Sequence, residues 1–102
     1  MKNKKQVSIF LLDENKKQII KIEILQIDEN KIEPILNKMP RNPFDEGWFK
    51  LFKSNLEKEF ELIGGVGINI EILSIVEEKN GTFITGWEIN ILGESPLNKY
   101  IP

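Results

Sequence analysis

The stretch VSIFLLDENKKQIIKIEILQI, residues 7–27, holds two runs of alternating aliphatic and polar residues on either side of a polar turn. Alternation with a period of two is typical of strands that bury one face, so we predict strands over 7–13 and 17–27. With Asn15 and Lys16 at the centre of the turn, the register brings aliphatic residues together in three pairs, namely Leu11 with Ile20, Ile9 with Ile22 and Val7 with Ile24. The other face of this first hairpin is mixed and carries Ser8, Phe10, Leu12, Ile19, Lys21 and Glu23.

An amphipathic helix is predicted from Asn42 to Gly64. Asn42 suits the N-cap, Pro43 the first helical position and Gly64 the residue after the last turn. A shorter helix is expected over 30–39. Large apolar residues recur at helical spacing in the long helix: Phe44, Trp48, Phe52, Leu56, Phe60 and Ile63.

A second hairpin is predicted from strands over 66–78 and 82–92, joined by Asn80-Gly81. Asn-Gly is the dipeptide that best fits a type I′ turn, which needs a positive φ at both central residues. The resulting register predicts four pairs on the buried face: Ile70 with Ile91, Ile72 with Ile89, Ser74 with Trp87, and Val76 with Thr85.

Together these elements predict one small α+β domain over residues 1–102, in the order ββ(α)αββ. We expect an antiparallel sheet of four strands with one long amphipathic helix packed on one face. Residues 1–5 are expected to be a flexible basic arm and residues 95–102 an irregular tail. The order of the two hairpins in the sheet does not follow from the sequence.

The chain contains no His and no Cys, the two residue types that perform most nucleophilic, acid–base and transition-metal chemistry near neutral pH. We therefore expect a protein that is not an enzyme and that has no cofactor, metal site or catalytic residue. The glycines at 64, 65 and 67 follow a helix and precede a strand, which favours a helix cap over a phosphate-binding loop. Trp48 and Trp87 are interpreted as core residues.

The N-terminal apolar run, Val7 to Leu12, is too short for a signal peptide and is followed at once by Asp13. No stretch approaches the ~20 apolar residues of a membrane span. We therefore expect a cytoplasmic protein that does not bind membranes. Heavy use of Ile, Lys and Asn is associated with AT-rich genomes, which suggests a bacterial or phage origin.

Charge is unevenly distributed, although the whole chain carries a formal net charge of −2. Residues 1–53 contain 11 basic and 8 acidic side chains, whereas residues 54–102 contain 3 basic and 8 acidic ones. An acidic half disfavours nucleic acid and favours a basic protein partner. The alternative is that these carboxylates merely keep this half of the chain soluble.

The outward face of the second hairpin combines carboxylates with apolar residues, a composition found at many protein-binding surfaces. Its predicted partner-binding residues are Glu71, Leu73, Glu77, Ile84, Glu88 and Asn90. The alternative is that the short helix, the tail or a second subunit covers this face.

The function expected from these features is that of a small acidic inhibitor or immunity-type protein, which occludes a basic partner such as a nuclease toxin. The alternative is a structural or assembly subunit that self-associates, for instance as a homodimer, through a sheet face or an edge strand.

Overall fold

The computed structural model describes residues 4–38, 41–42, 48–73, 83–92 and 99–101. It shows a small α+β domain in which helices pack on an antiparallel sheet. The strands are β1 (Lys4–Leu12), β2 (Gln18–Asp28), β3 (Val66–Ile72), β4 (Gly86–Ile91) and β5 (Lys99–Ile101); the helices are α1 (Ile32–Leu36), preceded by a 3₁₀ turn (Glu29–Lys31), and α2 (Trp48–Leu62).

The first hairpin has the predicted register. Leu11 pairs with Ile20, and the two aliphatic pairs beyond it are also those expected. The turn is built on Asp13, whose carboxylate accepts hydrogen bonds from the backbone N–H groups of Asn15 and Lys17 at 2.8 and 2.9 Å. Lys16, not Asn15, adopts the left-handed conformation, with φ 62°. A local alternation and a local turn therefore determine this hairpin.

The second hairpin is not formed, because β3 and β4 lie on opposite sides of the first hairpin in the strand order β3-β2-β1-β4-β5. The predicted pairing of Ile70 with Ile91 and of Ile72 with Ile89 is therefore wrong. Ile70 and Ile72 pair with β2, whereas Ile89 and Ile91 pair with β1. The proposed turn, Asn80-Gly81, lies outside the described residues.

The physical reason for this order is that β1 and β2 present an aliphatic face and two hydrogen-bonding edges. If β3 and β4 paired with each other, the backbone N–H and C=O groups at those edges would need other partners. With one strand on each side of the hairpin, both edges are paired. Three core rows then cross the sheet, each composed of aliphatic residues and Trp87: Ile72–Ile20–Leu11–Trp87, Ile70–Ile22–Ile9–Ile89 and Ile68–Ile24–Val7–Ile91.

Two boundary predictions also need correction. The sequence predicts a flexible basic arm over residues 1–5, but β1 begins at Lys4, so Lys4 and Lys5 belong to the sheet. The predicted irregular tail contains β5, which pairs with β4. The sheet thus has four strands of six residues or more and a short fifth strand at its edge.

The helical part of the prediction is also altered, because the structure has two short helices instead of a single long one. The predicted helix start at Pro43 lies outside the described residues, and α2 is described from Trp48. Its buried side follows the predicted spacing, since Phe52, Leu56 and Phe60 are core residues. Phe49 is half-buried against the core.

The helices pack on the aliphatic side of the sheet. Leu56 and Phe60 of α2 and Ile35 of α1 line a small internal void together with Ile9 and Ile22. Burial of these aliphatic and aromatic side chains is the main term that stabilises the fold. On the opposite side of the sheet, the central residues are exposed or only partly buried, whereas Leu12 and Ile19 at one end are buried.

The glycine cluster is a helix cap followed by a tight strand entry, as the sequence predicts. Gly64 has φ 81°, Gly64 N–H donates to Glu61 O, and Gly65 N–H donates to Phe60 O, both at 3.0 Å. This pair of bonds is a Schellman motif, which satisfies carbonyls that the end of a helix leaves free.

Candidate functional site

The side of the sheet that faces away from the helices forms a polar surface, which we call the open face. Successive residues of a strand point to opposite sides of the sheet, and in the middle of the strands the residues that alternate with the buried isoleucines are mostly polar. Two rows that cross four strands define this face: Glu71–Lys21–Phe10–Glu88 and Asn69–Glu23–Ser8–Asn90. None of these eight residues is buried.

The centre of the open face is a lysine on a phenylalanine ring. Lys21 Nζ lies 6.0 Å from the centroid of the Phe10 ring and 3.1 Å from a carboxylate oxygen of Glu23. Lys21 is therefore largely neutralised by its own neighbours, with a weak cation–π contact added to an ion pair.

Two carboxylates lie on either side of that centre. Glu71 of β3 is the cross-strand neighbour of Lys21 of β2, and Glu88 of β4 is the cross-strand neighbour of Phe10 of β1. Strands are about 4.8 Å apart, so these carboxylates are separated by roughly 14 Å, beyond the ~8 Å screening length at physiological salt. Each can therefore form its own contact with a partner. Glu88 also accepts a hydrogen bond from Gln18 Nε2 at 3.3 Å.

The six predicted partner-binding residues do not form one contiguous patch. Glu71, Glu88 and Asn90 lie on the open face, with two strands between β3 and β4. Leu73 follows β3 and is 39% exposed. Glu77 lies outside the described residues.

Ile84 is the residue for which the predicted exposure is wrong. It is only 2% exposed and belongs to the core. Its backbone N–H donates to Arg41 O at 2.7 Å, and the Arg41 guanidinium donates to Ile84 O at 3.0 Å. Ile84 precedes β4, which begins at Gly86, so the alternation along β4 does not determine where its side chain points.

Lys21, Phe10 and Glu23 belong to the site although the sequence places them only on the mixed face of the first hairpin. The signal was a phenylalanine among polar residues on the outward side of a strand pair. These residues join the site because the first hairpin lies between β3 and β4. Strand order, which the sequence leaves open, therefore decides the composition of the open face.

Chemically, the open face offers hydrogen-bond acceptors with negative charge around one aromatic ring. Carboxylates such as Glu71 bind ammonium and guanidinium groups through charge-assisted hydrogen bonds. In the described ranges, no group of three His, Cys, Asp or Glu residues is placed to hold a metal ion. Nor is any described helix long and apolar enough to cross a membrane.

Searches against protein-family models, curated proteins and solved structures gave no match for this chain.

Proposed function

We propose that this chain is a non-enzymatic protein-binding module that binds a basic partner through the open face. A small inhibitor or immunity-type protein, which occludes a basic partner such as a nuclease toxin, is the function that fits this surface best. The observation that carries the proposal is the placement of Glu71 and Glu88 on either side of Phe10, in a row of the sheet whose residues are exposed or only partly buried.

The charges of the open face suit electrostatic capture. Three carboxylates, of Glu23, Glu71 and Glu88, face one ammonium group, so the defined rows are net negative. Such a surface attracts a basic protein over distances near the screening length and accelerates association at low salt. Phe10 then provides apolar area at the centre, where interface residues contribute most of the binding energy.

The size of the face indicates that the partner extends beyond it. Four strands span about 19 Å, and seven residues of a strand span about 23 Å, giving a flat area of roughly 400 Å². One side of a standard interface buries about 800 Å². We therefore expect the partner to reach neighbouring surface as well, and the exposed Leu73 lies just beyond the end of β3.

The test is a double charge reversal, Glu71→Lys with Glu88→Lys. A matched control, Glu57→Lys with Glu61→Lys, makes the same change in net charge on α2. Each protein is used to capture binding proteins at low salt from a lysate of the source cells. The open-face variant should retain at least tenfold less of the captured basic protein, because like charges then oppose each other across the interface. Equal capture by wild type and open-face variant would contradict the proposal.

The alternative function is a subunit that self-associates through a sheet edge. In the part of the chain that the structure describes, β3 pairs on one side only, with β2. An unpaired edge strand is a template for pairing with another chain. Light scattering separates the two functions, since self-association predicts a concentration-dependent mass and the binding-module proposal predicts a monomer.

A further inference from the structure

A second concave surface lies on the helical side of the sheet, opposite the open face. It is a groove of about 570 Å³, and we call it the β4 groove. It is lined by Asp28, Glu29, Asn30, Ile32, Glu33, Pro34, Ile89 and Ile91. Its volume is in the range of about 300–1,000 Å³ that is usual for binding clefts.

The groove exists because the described helices are too short to cover this part of the sheet. Helix α2 packs beside β3, at the far edge from β4. Helix α1 has five residues and is therefore only about 7.5 Å long. Of the two β4 isoleucines that line the groove, Ile89 is buried in the core, whereas Ile91 is only partly buried.

Among the described residues that line the groove, the charged ones are all acidic. Asp28 ends β2, Glu29 begins the 3₁₀ turn and Glu33 lies in the first turn of α1. Acidic side chains are favoured in the first turn of a helix, so the local structure tolerates this concentration of charge. Lys4 is the cross-strand neighbour of Asp28. Its ammonium group donates a hydrogen bond to Gly64 O at 3.0 Å.

We propose that the β4 groove binds a short segment of another protein that combines basic with aliphatic side chains. Lysine or arginine of that segment would contact Asp28, Glu29 and Glu33, while its aliphatic side chains would pack on Pro34 and Ile91, the lining apolar residues that are not buried. The argument for this occupant is charge complementarity next to an apolar floor. A metal ion fits less well, because no described group of three carboxylates is close enough to hold one.

This site is separate from the open face, since the two lie on opposite sides of the sheet. The probe is a fluorescently labelled twelve-residue peptide in which Lys and Ile alternate. Two control peptides replace either every Lys with Glu or every Ile with Ser. Fluorescence anisotropy at low salt measures the affinity of each peptide for wild type and variants.

The groove variant is Glu29→Lys with Glu33→Lys, and both residues are exposed, which limits the risk of unfolding. The matched control is again Glu57→Lys with Glu61→Lys. We expect the groove variant to bind the Lys–Ile peptide at least tenfold more weakly, and the control to change by less than threefold. The open-face variant should also change by less than threefold, so this test and the test of the proposed function can fail independently.

Three results would overturn the inference. Equal weakening of the groove and control variants would show only non-specific attraction between opposite charges. Undiminished binding of the Lys–Ser peptide would show that the apolar floor takes no part. A dimer that the groove variant dissociates would assign the groove to a second copy of this chain. The inference is supported if the NMR methyl resonances of Ile89 and Ile91 shift when the Lys–Ile peptide is added to the wild type.

Discussion

Gly65→Ala is predicted to destabilise the fold through a single contact, that with the ring of Phe60. The φ of Gly65 is not positive, so the backbone accepts alanine without strain. The added Cβ, however, would overlap Cε1 and Cζ of Phe60 and lie 2.6 Å from Cδ1, whereas ordinary contact begins at 3.4 Å. Phe60 is 1% exposed and cannot swing into solvent.

The magnitude follows from the displacement required. The ring or the strand entry must shift by about 1 Å in an interior packed as densely as an organic crystal. Overpacking of this kind costs about 1–3 kcal/mol. The neighbouring substitution Gly64→Ala is predicted to destabilise the fold for a different reason. The added Cβ meets only Lys4 Nζ, at 3.9 Å, but the φ of 81° strains an L-residue by about 1–2 kcal/mol.

The two causes are separated by combining each substitution with Phe60→Leu. Urea unfolding followed by far-UV circular dichroism gives the free energy of unfolding of every variant. Gly65→Ala with Phe60→Leu should be at least about 1 kcal/mol more stable than the sum of the single effects predicts, because the smaller side chain removes the clash. Gly64→Ala with Phe60→Leu should be additive. Additivity in both double variants would refute the packing argument.

Two further predictions concern the turn and the core. Asp13→Ala removes the acceptor for two backbone N–H groups and should lower the free energy of unfolding by about 1–3 kcal/mol. Asp13→Asn keeps an acceptor oxygen and should be closer to wild type. Equal losses of stability in the two variants, measured by urea unfolding, would contradict this prediction. Trp87 Nε1 is buried and has no hydrogen-bond partner among the described residues. Trp87→Phe should therefore change stability by only about 1 kcal/mol, against about 3–5 kcal/mol for Trp87→Ala, and a Trp87→Phe loss as large as that of Trp87→Ala would contradict it.

The parts of the fold that the sequence predicts correctly are those determined by neighbours along the chain. The pairing of Leu11 with Ile20 follows from alternation on both sides of a short turn, so the register has no near competitor. Helical spacing likewise places Phe52 and Phe60 in the core, and Gly64 ends the helix through its φ. Each of these inferences needs only a few consecutive residues.

Strand order could not be predicted, because alternation specifies which side of a strand is buried and not which strand lies beside it. The isoleucines at 70 and 72 match those of β4 and those of β2 equally well. A local signal, Asn80-Gly81, favoured β4, whereas the long-range gain from completing both edges of the first hairpin favours β2. The structure has the second arrangement.

The same distinction explains the mixed result at the candidate site. Glu71, Glu88 and Asn90 share one face because their orientation depends on position within a strand, which alternation determines. Ile84 was misassigned because it lies before β4 begins, where alternation no longer applies. Lys21 and Phe10 could be joined to the site only once the strand order was known.

Site-specific photo-cross-linking tests directly whether the open face binds a basic partner. Three exposed asparagines provide matched positions, with Asn69 and Asn90 on the open face and Asn55 on α2. Each is replaced in turn by a photoreactive phenylalanine, and lysate of the source cells is irradiated at low salt. We expect an adduct with the same basic protein at Asn69 and Asn90, lost at high salt and absent at Asn55. An adduct formed at Asn55 alone, or an adduct of this chain with itself, would contradict it.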